Sequence, residues 1–73
     1  MRPEIRSLRT GDEAAVLDAR ELFDDEPDVD ATRRFLADPR HHLLVAYDPA
    51  GAPVGFVSGV EMIHPDKGTE MFL

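Results

Sequence analysis

The side chains of this sequence that can do chemistry are carboxylates and imidazoles. Five acids crowd one short stretch, Asp24, Asp25, Glu26, Asp28 and Asp30, interrupted only by Pro27 and Val29 and holding no base. Such a stretch attracts a cation; its plainer reading is a solvated loop. Glu61 and Glu70 stand apart, on runs that read as strands, where an exposed glutamate is also an ordinary surface residue. His41, His42 and His64 raise the question of metal. Adjacent His41 and His42 on a strand point to opposite faces and do not chelate together. His64 has no partner at a ligand spacing, so no metal site is expected.

The rest of the composition narrows the chemistry further. The chain has 73 residues and no Cys, which removes disulfides and thiolate zinc sites. Fifteen acids against eight bases give a net charge of −7. Binding to phosphates needs Lys and Arg in excess, so neither nucleic acid nor an anionic membrane surface is an expected partner, whereas a cationic one is. No apolar run approaches the roughly 18 residues of a membrane span, and Met1 to Arg9 mixes charged and apolar residues rather than forming a leader. The chain reads as cytoplasmic.

These side chains must be positioned by a small set of elements. Ile5 to Leu8 reads as a first strand, with Ile5 out of step with Leu8. Thr10-Gly11-Asp12-Glu13 has the spacing of a capping box, and a helix is predicted from Gly11 to Phe23. Its apolar face is Ala15, Val16, Ala19, Leu22 and Phe23, widened by Ala14 and Leu17. Asp24 to Asp30 is a loop. Asp30 is predicted to cap a second helix, Ala31 to Ala37, with Phe35 and Leu36 inward, stopped by Pro39.

Strand signals then take over. His42 to Tyr47 is one strand, and Asp48-Pro49-Ala50-Gly51 is a turn with Pro at its first corner and a glycine that tolerates positive φ. Pro53 to Ile63 is a long second strand of the hairpin. Val54, Phe56, Ser58, Val60 and Met62 share one face, and Gly55, Val57, Gly59, Glu61 and Ile63 the other. After a turn at His64 to Thr69, Glu70 to Leu73 opens another apolar run. Two helices cannot cover both faces of such a meander, so an incomplete fold or self-association through the open edge is expected.

The order β-α-α-β-β-(β) resembles the N-terminal half of the GNAT acetyltransferase fold, an α+β architecture with a mainly antiparallel sheet. The residues that carry the resemblance are Ile5-Arg6-Ser7-Leu8-Arg9-Thr10-Gly11-Asp12, and the hairpin from His42-Leu43-Leu44-Val45-Ala46-Tyr47-Asp48 to Pro53-Val54-Gly55-Phe56-Val57-Ser58-Gly59. Leu22-Phe23 through Leu36, with Glu70-Met71-Phe72-Leu73, looks like the aminoglycoside 3-N-acetyltransferase branch. The resemblance spans nearly all of residues 1–73 as one partial domain.

What the resemblance implies is direct acetyl transfer from acetyl-CoA to a cationic amine, aminoglycoside-like or polyamine-like. The family's pyrophosphate loop, with backbone amides at a helix N-terminus, has no counterpart here, so this chain alone is expected neither to bind acetyl-CoA nor to be active, and to need a complementing C-terminal half. Asp25, Glu26 and Asp28 are then the candidates for holding the amine. Glu70 and Glu61 are the candidates for the general base that takes its proton. The alternative is a non-catalytic α+β interaction module that pairs with a second chain through its open sheet edge.

Overall fold

The computed structural model describes residues 3–73. Its elements are β1 (Glu4–Ser7), α1 (Glu13–Asp18), a 3₁₀ turn (Arg20–Leu22), α2 (Val29–Ala37), β2 (His41–Tyr47), β3 (Pro53–His64) and β4 (Gly68–Phe72). All four strands form one antiparallel sheet in the order β1-β2-β3-β4. The small α+β fold with an antiparallel sheet is therefore as expected.

The local chemistry departs from expectation at both helix starts. No capping box forms at α1. The Asp12 carboxylate instead accepts the Arg9 backbone N–H at 2.9 Å, closing a local turn. The Thr10 hydroxyl, freed from capping, donates to the Leu36 carbonyl at 3.2 Å and ties α1's entry to the end of α2. The second helix starts two residues early. Asp28, not Asp30, is its N-cap, and its carboxylate accepts the Asp30 N–H at 3.1 Å.

Nor does the first helix run unbroken to Phe23. Its bonding tightens at Ala19, whose N–H is shared between the Ala15 and Val16 carbonyls, and continues as i→i+3 bonds from Leu22 to Ala19 and from Phe23 to Arg20. The tighter winding delivers Phe23 to the sheet, where its ring centroid lies 4.5 Å from that of Phe56. Val16 and Ala19 are buried as the periodicity required, but Ala14 and Leu17 face solvent.

Alternation along the strands sorts the sheet into two unlike faces. Leu43 and Val45 of β2 are buried and pack with Leu8, Val16 and Leu36, with Phe23, Phe35 and Tyr47 around them. The loop after β2 has the expected chemistry: Asp48 accepts the Ala50 and Ala52 N–H groups, and Gly51 takes a φ of +89°. A register shift at Ala46/Tyr47 accommodates the turn. The helices cover β2 and the near end of β3, and leave β4 uncovered. Consecutive residues Met71 and Phe72 point to opposite faces and are both nearly half exposed.

Two global measures agree with that openness. A closed globule of this mass exposes about 4,500 Å² and has a radius of gyration of about 11 Å. This chain exposes 5503 Å², with a radius of gyration of 13.6 Å.

Candidate functional site

A groove of about 400 Å³ lies between the helices and the sheet. Each wall follows from a local pattern. Phe23 directly follows the 3₁₀ turn, and the loop beyond it supplies Asp24, Asp25 and Pro27. In α2, steps of three and four residues put Ala31, Thr32, Phe35 and Leu36 along one stripe. The floor is Leu43 from β2 and Phe56 and Ser58 from β3, neighbours two residues apart on one face of the strand.

The groove is apolar with an acidic border. Among the described residues its polar side chains are Asp24, Asp25, Thr32 and Ser58, with no Lys, Arg or His. Asp24 and Asp25 are exposed, and among the described residues neither carboxylate enters an ion pair or a side-chain hydrogen bond. Two negative charges next to aromatic surface form an arrangement that can hold an organic cation through Coulomb attraction and the ring faces.

Of the candidates for holding the amine or taking its proton, Asp25, Glu26, Asp28, Glu61 and Glu70, only Asp25 lines this groove. Glu26 belongs to the same loop but is not part of the lining, and the Asp28 carboxylate is engaged at the N-terminus of α2. Glu61 faces the other side of the sheet, where it meets His42 Nε2 at 2.8 Å. Glu70 shares the helix-side face, but it pairs with Met62, six residues beyond Phe56, or about 20 Å along the strand. Its carboxylate lies 3.9 Å from His64 Nε2. Glu61 and Glu70 are thus on opposite faces and do not form one centre.

Asp24, which the sequence marks only as part of the acid stretch, lines the groove as well, and Thr32, Ser58 and the three phenylalanines are site residues that the sequence does not single out. The signal for them was present as periodicity: Phe56 and Ser58 alternate on β3, and Thr32 and Phe35 are three apart on α2. What was missing was which helix face would lie over which strand.

Adjacent His41 and His42 point to opposite faces of the sheet. His41 stacks on Phe35 at 4.9 Å on the helix side, while His42 turns to Glu61 on the other. Among the described residues, no three His, Cys, Asp or Glu side chains form a group that would hold a metal ion.

Neither helix start suits the pyrophosphate of acetyl-CoA. A pyrophosphate needs unpaired backbone amides at a helix N-terminus free of like charge. Here α1 begins with Asp12 and Glu13, and α2 begins with Asp28 and Asp30, so each start already carries carboxylates. Comparison of the chain with protein-family models, with curated proteins and with solved structures yields no match.

Proposed function

We propose that this chain is the acceptor side of a GNAT-type N-acetyltransferase, in which the groove receives a cationic amine and acetyl-CoA is held by polypeptide outside these residues. The observation that carries the reading is the pair Asp24 and Asp25 on the border of an apolar groove that, among the described residues, has no base in its lining. The antiparallel β1-β2-β3-β4 order, with both helices inserted between β1 and β2, supports it as well. An ammonium seated here is attracted by two carboxylates. Before it can attack an acyl carbon it must lose a proton. Glu61 faces away and Glu70 is remote, so for an amine resting on Phe56 the acceptors within the groove are the loop carboxylates or water.

The test uses a protein in which these residues are joined to a pyrophosphate-binding half. Release of the CoA thiol is followed with kanamycin, spermidine and a phenylalkylamine as acceptors. Asp24→Asn with Asp25→Asn raises KM for the preferred amine about tenfold, roughly the loss of one charge-assisted contact. An unchanged KM, or no transfer to any amine, rules the reading out.

A second reading has its own observation. Among the described residues the outer edge of β4 has no pairing strand, and Met71 and Phe72 are exposed on its two faces. An edge of this kind suits a non-catalytic module that adds a strand from a second chain. Sedimentation at several concentrations tests it, because a concentration-independent monomer has no such pairing.

A further inference from the structure

We infer that the groove between α2 and the sheet selects a single ammonium carried on a flat apolar body, rather than a polyhydroxylated sugar amine or a polyamine. The inference rests on the acceptor-side reading and narrows its substrate class.

The argument starts from the composition of the walls. Phe23 and Phe56 touch, with ring centroids 4.5 Å apart and planes inclined at 39°, so they present one continuous aromatic surface. Phe35 adds a third ring across the groove. At about 400 Å³ the space falls within the size range of small-molecule pockets, about 300–1,000 Å³. Charge is confined to one part of it, because Asp24 and Asp25 are adjacent in sequence and, among the described residues, no other lining residue is ionisable.

That distribution matches a ligand with one charged end. A phenyl ring on a short alkyl chain buries against Phe23, Phe35 and Phe56 while its ammonium stays beside the carboxylates. A sugar amine fits poorly. Its hydroxyls leave water for walls that offer only the Thr32 and Ser58 hydroxyls beyond the acids, and the rest lose their hydrogen bonds without replacement. A polyamine meets the same difficulty with its second and third charges, which have no carboxylate in the apolar part of the groove.

The experiment measures binding to the full chain in the absence of acetyl-CoA, by titration calorimetry with an NMR readout. The probes are 4-phenylbutylamine, the neutral 4-phenylbutan-1-ol, glucosamine and spermidine. The expected result is that 4-phenylbutylamine binds at least tenfold more tightly than each of the other three. Asp24→Asn with Asp25→Asn lowers its affinity about tenfold and leaves the alcohol unchanged. These exposed loop positions leave the fold intact, which circular dichroism checks. Phe56→Ser weakens the amine and the alcohol together.

Equal or tighter binding of glucosamine or spermidine, lost in the double Asn variant, overturns the inference while leaving a cationic acceptor site in place. Equal binding of amine and alcohol, or no binding of any probe, overturns the inference and removes the site from the acceptor reading too. Acetyl transfer is measured separately in the joined protein, so its absence alone bears on the enzyme assignment and not on this selectivity.

Discussion

His42 Nε2 lies 2.8 Å from a Glu61 carboxylate oxygen on the sheet face that carries no helix. Directly opposite His42 is Gly59, which has no side chain, so the imidazole meets its diagonal neighbour Glu61 instead. Both side chains are somewhat more than a third exposed. Water therefore screens the pair, and a double-mutant cycle with His42→Ala and Glu61→Ala gives a coupling of about 0.2–1 kcal/mol. Urea unfolding of the four proteins measures it, and raising the salt concentration reduces it. A coupling above about 2 kcal/mol belongs to a buried pair and contradicts this geometry.

Gly59 and Gly55 lie on the same face of β3 but differ in what surrounds them. A Cβ at Gly59 would stand 2.9 Å from Leu73 Cδ2 and Met71 Sδ, and 3.1 Å from the Phe72 carbonyl oxygen. The two side chains can swing away, but the carbonyl belongs to the β4 ladder and moves only with the strand. A Cβ at Gly55 meets nothing within 4 Å. Gly59→Ala therefore destabilises the chain by about 1–2 kcal/mol and speeds hydrogen exchange at the β4 amides. Gly55→Ala is neutral or stabilising by about 0.5 kcal/mol, through the unfolded state. Equal effects of the two substitutions contradict the packing of β4 on Gly59.

Acid unfolding carries a signature of Asp38. Hydrogen bonds from the Arg40 guanidinium, and then from the Arg40 backbone N–H, lower its carboxyl pKa from 3.8 to about 2. The folded state thus holds the ionised form more firmly than the unfolded chain does. The stability this contributes is fully present above about pH 4 and is lost as pH falls towards 2. Melting temperatures recorded from pH 5 to pH 2 fall less steeply between 4 and 2 for Asp38→Asn than for the parent chain. The two proteins differ in this carboxyl group alone, so the difference isolates it. Parallel curves would mean that the Arg40 contacts do not persist in solution.

The β4 edge predicts self-association. β1, the opposite edge, is short and carries Glu4 and Arg6, which discourage pairing, whereas β4 offers Met71 and Phe72 beside its unpaired backbone. Sedimentation velocity shows species larger than a monomer that grow with concentration, and Met71→Lys shifts the population towards monomer. Were Met71→Lys without effect on a self-associating chain, the contact would lie elsewhere than on this strand.

Much of the fold was legible because its signals are local. Asp48-Pro49-Ala50-Gly51 announces a turn through residues that bond to their own backbone, and Asp48 does so. The two-residue alternation of β3 separates Phe56 from Val57 whatever the strand packs against. The helix starts were misjudged where two polar residues competed for the same role. Thr10 and Asp12 both suit the entry to α1, and Asp28 and Asp30 both suit that of α2. The losing assignments were decided by partners distant in sequence or by one residue of phase: Thr10 reaches the Leu36 carbonyl, and α2 starts where Asp28 can meet the Asp30 N–H.

Charge, alternation and turn chemistry act over a few residues, so sequence alone established an acidic α+β chain with an antiparallel meander and an acid-rich loop between its helices. Which carboxylates share a site was decided by tertiary structure. Asp24 and Asp25 join the groove because the 3₁₀ turn brings Phe23 onto Phe56, while strand pleat and length send Glu61 to the far face and Glu70 about 20 Å away. Proximity between residues far apart in sequence depends on how helix faces settle on strands, and that is set by the packing of the whole core rather than by any local pattern.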